Sequence, residues 1–469
     1  MNKTWIKWLA VIGTGVLIAA IPRPEGVTRE SWNLLAVFIA TIVGSVVQPL
    51  TGSAMVMLGV IATVLTGAME PKKALLGYAD PVVWLVLAAF FLSCAMVKTG
   101  LGRRIALHFV RFLGRKTLGL GYALVGTDFI LASMIPSNGA RNGGVIMPIA
   151  LSICETYDSR PDDGTAGRLG TYIISLLYQC DVIICATFIT GQASNLIIAK
   201  LAHDSTGINL SYGGWFAAAI VPSLVSLVAV PLMIYKLFPP EVKETPEATA
   251  FAADELKKIG PITRGEIIVL TVLAGVVFFW VTKDWLHSVD TSIVALAGVG
   301  ILLIARIVDW RDLMCESNAW SVFLWYGGLV NMAMVLGESG LTKLFAESVA
   351  GYTSGMSWGL ALVTLALIFF YVHYFFASIT SHVLAMYIPF IAVTTAAGAP
   401  VGLTVLLLAY FANLDAGLTH FGTTPGPIYF GTGYVKQKRW WTIGFIAAII
   451  NIVIWGTIGP VWWKALGWW

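Results

Sequence analysis

Charge is what this sequence has little of. Asp, Glu, Lys and Arg together make up 12% of its 469 residues, about half the share carried by soluble domains. With 58% of residues hydrophobic, the chain cannot be kept in water or held disordered by its own polarity. Secreted, cytosolic and unstructured classes are thereby excluded. The formal net charge of +4 supplies no basic face, so no nucleic-acid partner is expected. Cysteine is sparse as well. Cys94, Cys154, Cys180, Cys185 and Cys315 lie mostly in apolar stretches without CxxC spacing, which excludes a disulfide framework or a cysteine-ligated zinc site and leaves packing thiols. The histidines (His108, His203, His287, His373, His382, His420) are scattered, and no HExxH occurs. No metal, no cofactor and no catalytic set is expected, and the chain does not read as an enzyme.

What is abundant is apolar sequence in long runs. A helix that crosses a bilayer needs about 20 apolar residues, and segments of that kind recur near 8–22, 33–50, 53–69, 82–98, 118–135, 137–154, 171–200, 213–237, 266–282, 291–306, 319–336, 357–376, 378–397, 401–434 and 440–460. The expected fold is an all-α polytopic membrane protein. Its first span runs into Pro22-Arg23-Pro24 and lacks a small-residue cleavage signal, so residues 1–30 are expected to form a retained transmembrane helix. Tryptophans near both ends, among them Trp5, Trp8, Trp462, Trp463, Trp468 and Trp469, suit headgroup anchoring. One polar stretch, 239–265, carries Glu241, Lys243, Glu244, Glu247, Asp254, Glu255, Lys257 and Lys258. It is expected to link two halves, 31–238 and 266–469.

The halves repeat. Ser137 and Ser378, Arg141 and His382, and Pro148 and Pro389 are each 241 residues apart. Upstream, Gly100-Leu101 matches Gly340-Leu341 at 240; downstream, Gly191 matches Gly422 and Ile197 matches Ile428 at 231. The shortening is explained by the polar loop Glu155–Gly170, found in the first half only. Anchors kept in one order point to internal duplication. With the N-terminus cytoplasmic, most cations, including Arg103, Arg104, Arg111, Arg115, Lys116, Lys436, Lys438 and Arg439, fall inside, and only Arg23, Arg29, Lys72, Lys73, Lys200, Lys283, Lys343 and Lys464 fall outside. The two halves are then inserted upside down relative to each other. Segments 118–154 and 357–397 each return the chain to the side it came from, and charge alone leaves open whether they cross fully or re-enter. The expectation is about eleven transmembrane helices plus two re-entrant hairpins, inner at 118–154 and outer at 357–397, with the linker inside and the C-terminus outside.

Inverted repeats with interrupted apolar segments mark secondary transporters, whose ligand sits where broken helices meet. Pro136 ends one apolar arm, and Ser137-Asn138 can cap the next; Ser378 and Thr380 do the same in the second half. A helix start inside the membrane presents free N–H donors and a partial positive charge, which favour an anion. Two such tips suit a ligand with a carboxylate at each end. Arg141 stands in an otherwise uncharged run, where a charge is expensive unless it is functional or paired, and His382 shares its repeat position. Thr190-Gly191-Gln192-Ala193-Ser194-Asn195 and Thr419-His420-Phe421-Gly422-Thr423-Thr424-Pro425-Gly426-Pro427 place small and hydroxyl-bearing residues in the middle of apolar spans. An unwound backbone there can donate to a ligand, or the segments are plain kinks. Asp128, Asp181 and Asp415 are read as counter-charges or interior hydrogen-bond partners. The candidate substrate-binding set is Ser137, Asn138, Gly139, Arg141, Ser194, Asn195, Ser378, Thr380, His382, Gly422, Thr423 and Thr424.

At Ser137-Asn138-Gly139-Ala140-Arg141, at Ser378-Ile379-Thr380-Ser381-His382 and at Gly422-Thr423-Thr424-Pro425-Gly426-Pro427-Ile428-Tyr429 the sequence resembles the divalent anion/sodium symporter family. Within it, the likeness is to the exchanger branch of bacterial citrate/succinate antiporters and plastid 2-oxoglutarate/malate translocators. That family carries a Ser-Asn-Thr signature at each hairpin tip, whose side chains hold substrate carboxylates and help bind sodium. The match assigns those roles to Ser137, Asn138, Ser378 and Thr380. Gly139 stands where a threonine is expected and Ile379 where an asparagine is, and each departure removes an oxygen from a cation site. The resemblance also implies a homodimer in the inner (cytoplasmic) membrane, with a fixed scaffold and a moving transport domain of hairpins and broken helices. The function it implies is sodium-independent exchange of C4/C5 dicarboxylates such as 2-oxoglutarate, malate, succinate and fumarate by an elevator motion. Uncompensated Arg141 and His382 charges would then slow return of the empty carrier. A sodium-coupled dicarboxylate symporter keeps the same fold with different coupling, and an anion channel would need a continuous pore.

Overall fold

The computed structural model describes residues 4–283, 285–341 and 355–469. Among them all regular secondary structure is helical, with no strand. Lipid offers the backbone no hydrogen-bond partner, so a spanning segment must satisfy its own peptide groups, and a helix does so locally. Polar residues set the starts. The Thr28 hydroxyl accepts from Ser31 N, Asp80 from Val82 N and Ser211 from Gly214 N, satisfying donors that the first helical turn leaves free.

Among the described residues, the order of elements gives eleven crossings when each broken pair counts as one span and the two hairpins re-enter. They are α1 (Thr4–Ala20), α2 (Arg29–Val47), α3 (Gly52–Leu65), α5 (Pro81–Thr99), the broken pair α10 (Gly170–Thr187) and α11 (Ala193–Thr206), α12 (Tyr212–Leu237), α14 (Arg264–Thr282), α15 (Thr291–Ile304), α17 (Ser317–Glu338), the broken pair α20 (Val401–Leu414) and α21 (Pro425–Phe430), and α22 (Gln437–Ala465). Between crossings lie short α4 (Pro71–Leu75), amphipathic α6 (Leu101–Leu113) and α16 (Trp310–Cys315). The inner hairpin is α7 (Thr117–Ala132) followed by a helical return through α8 (Asn138–Arg141), a π turn and α9 (Met147–Thr156). The outer hairpin is α18 (Trp358–Val372) and α19 (Ile379–Ala396).

Both hairpins re-enter rather than cross. The Asn138 side chain donates to Thr423 Oγ1 at 3.1 Å, and the hydroxyls of Thr380 and Ser194 are 2.6 Å apart. Hairpins that crossed fully would hold their tips about 30 Å apart, at opposite faces. The order α5, α6, inner hairpin, broken helix, α12 recurs as α17, outer hairpin, broken helix, α22. The stretch after Gly340 that matches α6 lies outside the described residues, as do Lys3 and Lys343 of the charge argument.

Burial separates two groups of helices. Every residue of α10 is buried, as is α20 from Gly402 to Leu414, whereas α1 buries only Val11. The broken helices occupy the centre, flanked by the hairpins, α12 and α22; α1, α2, α3, α5, α14, α15 and α17 pack together as a second body. Asp181, Asn195, Asn413 and Asp415 are tolerated because they face protein, not lipid.

The polar linker is not a loose strap. Within it α13 (Pro246–Ile259) buries Ala248, Ala252 and Leu256 and packs on α6. The Tyr157 hydroxyl donates to Glu247 at 2.5 Å and holds that carboxyl below its usual range. Where the linker enters α14, Arg104 makes a bidentate pair with Glu266 at 2.6 and 3.1 Å and donates to the carbonyls of Gly260 and Pro261. Glu266 is 1% exposed. Glu266→Ala is therefore expected to cost about 3–5 kcal/mol, because it strands a buried guanidinium. A lowered thermal unfolding midpoint in detergent is the readout, and an unchanged midpoint would contradict the pairing.

Candidate functional site

Both hairpin tips are built by capping. Ser137 Oγ accepts from Ala140 N at 3.2 Å and Ser378 Oγ from Ser381 N at 3.5 Å. Each serine thereby starts a returning helix in the interior. The broken helices start again at the same level, α11 after Gln192 and α21 after Thr424. Four helical segments thus begin around one space. The last of them, α21, starts with Pro425-Gly426-Pro427 and its Gly426 N donates to Thr423 O, so the N–H donors and the partial positive charge come from the two hairpin tips and α11.

That space is a cavity of about 590 Å³. Ser137, Asn138, Gly139, Gln192, Ser194, Ser378, Thr380, Ser381 and Thr424 line one side, and Ser45, Gln48, Asn318, Ser321 and Trp325 the other. Among the described residues, no charged side chain lines it. Its second wall comes from the end of α2, the turn into α3 and the start of α17. This is the end at which α5 meets α16 through the Lys98–Asp312 ion pair and at which the linker docks. At the other end Lys200 of α11 pairs with Asp80 at the start of α5, 2.8 Å away, tying the two helical groups together.

Arg141 and His382, expected to present charge to the ligand, do not line the wall of this cavity. Arg141 is 0% exposed. Its Nε donates to Asp128 Oδ1 at 2.7 Å, its NH2 to Asp181 Oδ1 at 3.2 Å, and its NH1 to the carbonyls of Ile135 and Gly191 at 2.8 and 2.6 Å. A guanidinium with its donors committed in this way is neutralised where it lies. Asp128 and Asp181 are thus the counter-charges. The imidazole of His382 packs against Phe369 and Phe376, with its Nδ1 3.1 Å from His373 Nδ1 and 3.1 Å from Asp415 Oδ2.

Other members of the candidate set form a second layer. The Asn195 amide donates to the carbonyls of Cys185 and Phe188, closing the open end of α10, and its oxygen accepts from Asn413. Thr423 receives the Asn138 amide, and the Gly422 carbonyl lies 3.1 Å from His373 Nε2. The unwound backbone at 415–424 is satisfied by neighbours. The Gln179 amide donates to Gly417 O, and the Tyr178 hydroxyl is shared between the carbonyls of Ala416 and Thr419. This is what lets irregular backbone persist at membrane depth.

Sequence reasoning missed Ser45, Gln48, Asn318, Ser321 and Trp325, because helix ends at an interface look like any other helix ends. Gln48 alone carried a structural signal. It adopts φ 48°, a left-handed conformation uncommon for a non-glycine residue. His373 was missed as well: it reaches the Gly422 carbonyl much as Arg141 reaches that of its repeat partner Gly191.

Known proteins resemble this chain along nearly its whole length. The family model for the sodium:sulfate symporter transmembrane region matches residues 2–469. A protein of Bacillus subtilis (strain 168) that carries the name of a malate transporter is 42% identical over 464 residues, 99% of this chain and 97% of that one. The chloroplastic dicarboxylate transporter 1 of Arabidopsis thaliana is 41% identical over 463 residues, 98% of this chain and 83% of that one. The L-tartrate/succinate antiporter of Shigella flexneri is 32% identical over 481 residues, covering 98% of both. Among solved structures, the YdaH transporter of Alcanivorax borkumensis, described as having an unusual topology, superposes with a TM-score of 0.58 at 13% identity, over 88% of this chain and 89% of that one. That last likeness is one of fold alone.

Proposed function

This chain belongs to the sodium:sulfate symporter transmembrane-region family, and on that footing we propose that it exchanges C4/C5 dicarboxylates across the cytoplasmic membrane without sodium. The observation that carries this reading is the uncharged cavity on which two serine-capped hairpin tips and two restarting helices converge. Helix starts and hydroxyls bind carboxylate without a fixed cation. Two opposed sets suit a ligand charged at both ends. The names of the relatives, dicarboxylate transporters and an antiporter among them, support the same substrate class.

Independence from sodium is favoured by what occupies the tips. Gly139 and Ile379 offer no side-chain oxygen to a hard cation. The interior carbonyls of Ile135 and Gly191 already accept from Arg141 NH1, and that of Gly422 faces His373 Nε2. Exchange, in this reading, does not come from bare charge, because Arg141 is neutralised by two carboxylates. It comes from unfilled donors. Without substrate, several hydroxyls and helix-start N–H groups would pass through a dry interface unpaired, at about 1–3 kcal/mol each, and 1.4 kcal/mol slows a step about tenfold. The moving body is the hairpins with the broken helices, in an elevator motion within a homodimer. The cavity reaching the linker end, with Lys200–Asp80 closing the other, suits an inward-facing state with the linker and N-terminus cytoplasmic.

Counterflow in proteoliposomes tests this. Labelled succinate or malate should enter only when unlabelled dicarboxylate is inside, at the same rate in Na⁺, K⁺ or choline. Uptake into empty vesicles with strong Na⁺ stimulation would establish the symporter instead, and single-channel current a pore. Specificity gives a separate check. Lactate or acetate leaves one tip's donors unpaired, so each should compete at least about tenfold less well than succinate. Equal competition by lactate would remove the two-tip site.

A further inference from the structure

The two halves of the molecule solve one problem with different chemistry. In the first, a guanidinium sits between the inner hairpin and the first broken helix, joining Asp128, Asp181 and the Gly191 carbonyl. In the second, the corresponding place between the outer hairpin and the second broken helix holds two imidazoles and one carboxylate, His373, His382 and Asp415, all 0% exposed. The first half carries its own cation there; the second presents only the ligands for one.

We propose that His373, His382 and Asp415 form a binding site for a single divalent transition-metal ion of the zinc or cobalt class, which clips the outer hairpin to the second broken helix. The ligand atoms define the fit. The two Nδ1 atoms are 3.1 Å apart; Asp415 Oδ1 lies 3.4 Å from His373 Nδ1, and Asp415 Oδ2 lies 3.1 Å from His382 Nδ1. Ligands bound at about 2.0–2.1 Å in a tetrahedron are separated by about 3.3 Å. The three are the one group of His, Cys, Asp or Glu among the described residues with the spacing of a metal site.

The hydrogen bonding makes the same demand from the other direction. His373 Nε2 lies 3.1 Å from the Gly422 carbonyl, an acceptor, so that nitrogen carries the ring proton and Nδ1 is a lone pair turned into the cluster. A backbone carbonyl on the distal nitrogen is what orients a metal-ligating histidine. Neither carboxylate oxygen of Asp415 has a hydrogen-bond partner. A lone pair and a carboxylate therefore face inward, and the single proton His382 Nδ1 could contribute cannot serve both. Burying that arrangement without a cation is costly. Two nitrogens and one carboxylate oxygen suit a borderline ion, and exclude calcium or magnesium, which take oxygen sets. The site does not depend on what the cavity carries.

Elemental analysis of full-length protein, expressed in zinc-supplemented medium and washed with chelator to clear surface ions, tests the site. Wild type should retain about one zinc per chain, and protein from cobalt-supplemented cells should show the visible absorption of cobalt held by nitrogen and oxygen. Asp415→Asn and His382→Gln should each lower occupancy at least about tenfold, while His203→Ala, outside the cluster, should keep it. The thermal midpoint of loaded wild type should exceed that of protein stripped by a chelator under mild heating, and zinc should restore it. Wild-type protein without bound metal or a cobalt spectrum would overturn the proposal, whatever the variants do. Undiminished zinc in monodisperse Asp415→Asn would overturn it equally.

Discussion

Replacing Arg141 with alanine is expected to abolish transport by loosening the inner hairpin, not by removing a contact to the ligand. The change strands the carboxylates of Asp128 and Asp181 together with the carbonyls of Ile135 and Gly191, all of which now accept from one guanidinium. Removing one partner of a buried pair costs about 3–5 kcal/mol, and here two pairs go at once. Arg141→Lys keeps the charge but cannot reach in three directions from one ammonium, so it should fall between wild type and alanine. Size-exclusion profiles and thermal midpoints are the readout, followed by succinate binding on the folded fraction. Monodisperse Arg141→Ala of unchanged thermal midpoint that has lost succinate binding would return the guanidinium to the ligand. Severe loss of stability with binding intact in the surviving fraction is the outcome that the pairing demands.

A single methyl group at position 139 should be nearly as damaging to transport while leaving the protein folded. A Cβ on Gly139 would come within 2.9 Å of Thr424 Cγ2 and 3.6 Å of Thr424 Cβ. The first distance is too short for carbon atoms, so Thr424 must turn, and its side chain lines the cavity. Overpacking of this kind costs about 1–3 kcal/mol, which amounts to about tenfold or more in exchange rate if it falls on the productive geometry. Thr424→Ser deletes the methyl that collides. Gly139→Ala/Thr424→Ser should therefore recover most of the exchange lost by Gly139→Ala, a coupling that a double-mutant cycle measures. Gly139→Ala with wild-type counterflow would mean that the tip and Thr424 do not meet as described. The same crowding explains why the threonine that the family resemblance anticipates at 139 has no room in this chain.

Several features of the site were legible because they are local. Serine followed by a helix-forming run is a cap wherever it occurs, so Ser137 and Ser378 identify the tips without any knowledge of their surroundings. Gly191-Gln192 and Thr423-Thr424 interrupt apolar spans at matching places in the two halves, and the chain breaks its helices there. Ser194 and Thr380 were expected at the site, and both line the same side of the cavity with their hydroxyls 2.6 Å apart. Partnership was not legible. Asp181 is 40 residues from Arg141, and Asp415 is 42 from His373 and 33 from His382. Nothing in residue type says whether a buried charge waits for a ligand or is already paired.

The sequence by itself determined the membrane class, the inverted repeat and the capping chemistry of the tips, and left open whether the two hairpins cross or re-enter. These follow from hydropathy along the chain, from the repeat offset and from capping preferences, all of which act on neighbouring residues. Tertiary structure alone decided which polar groups face the cavity. It turned Arg141 and His382 inward, brought Gln48, Asn318, Ser321 and Trp325 to the opposite wall, and gathered His373, His382 and Asp415 into one cluster. The physical reason is that burying a charge is permitted or forbidden by the oxygens and nitrogens within about 3 Å of it, and those come from segments that only folding brings together.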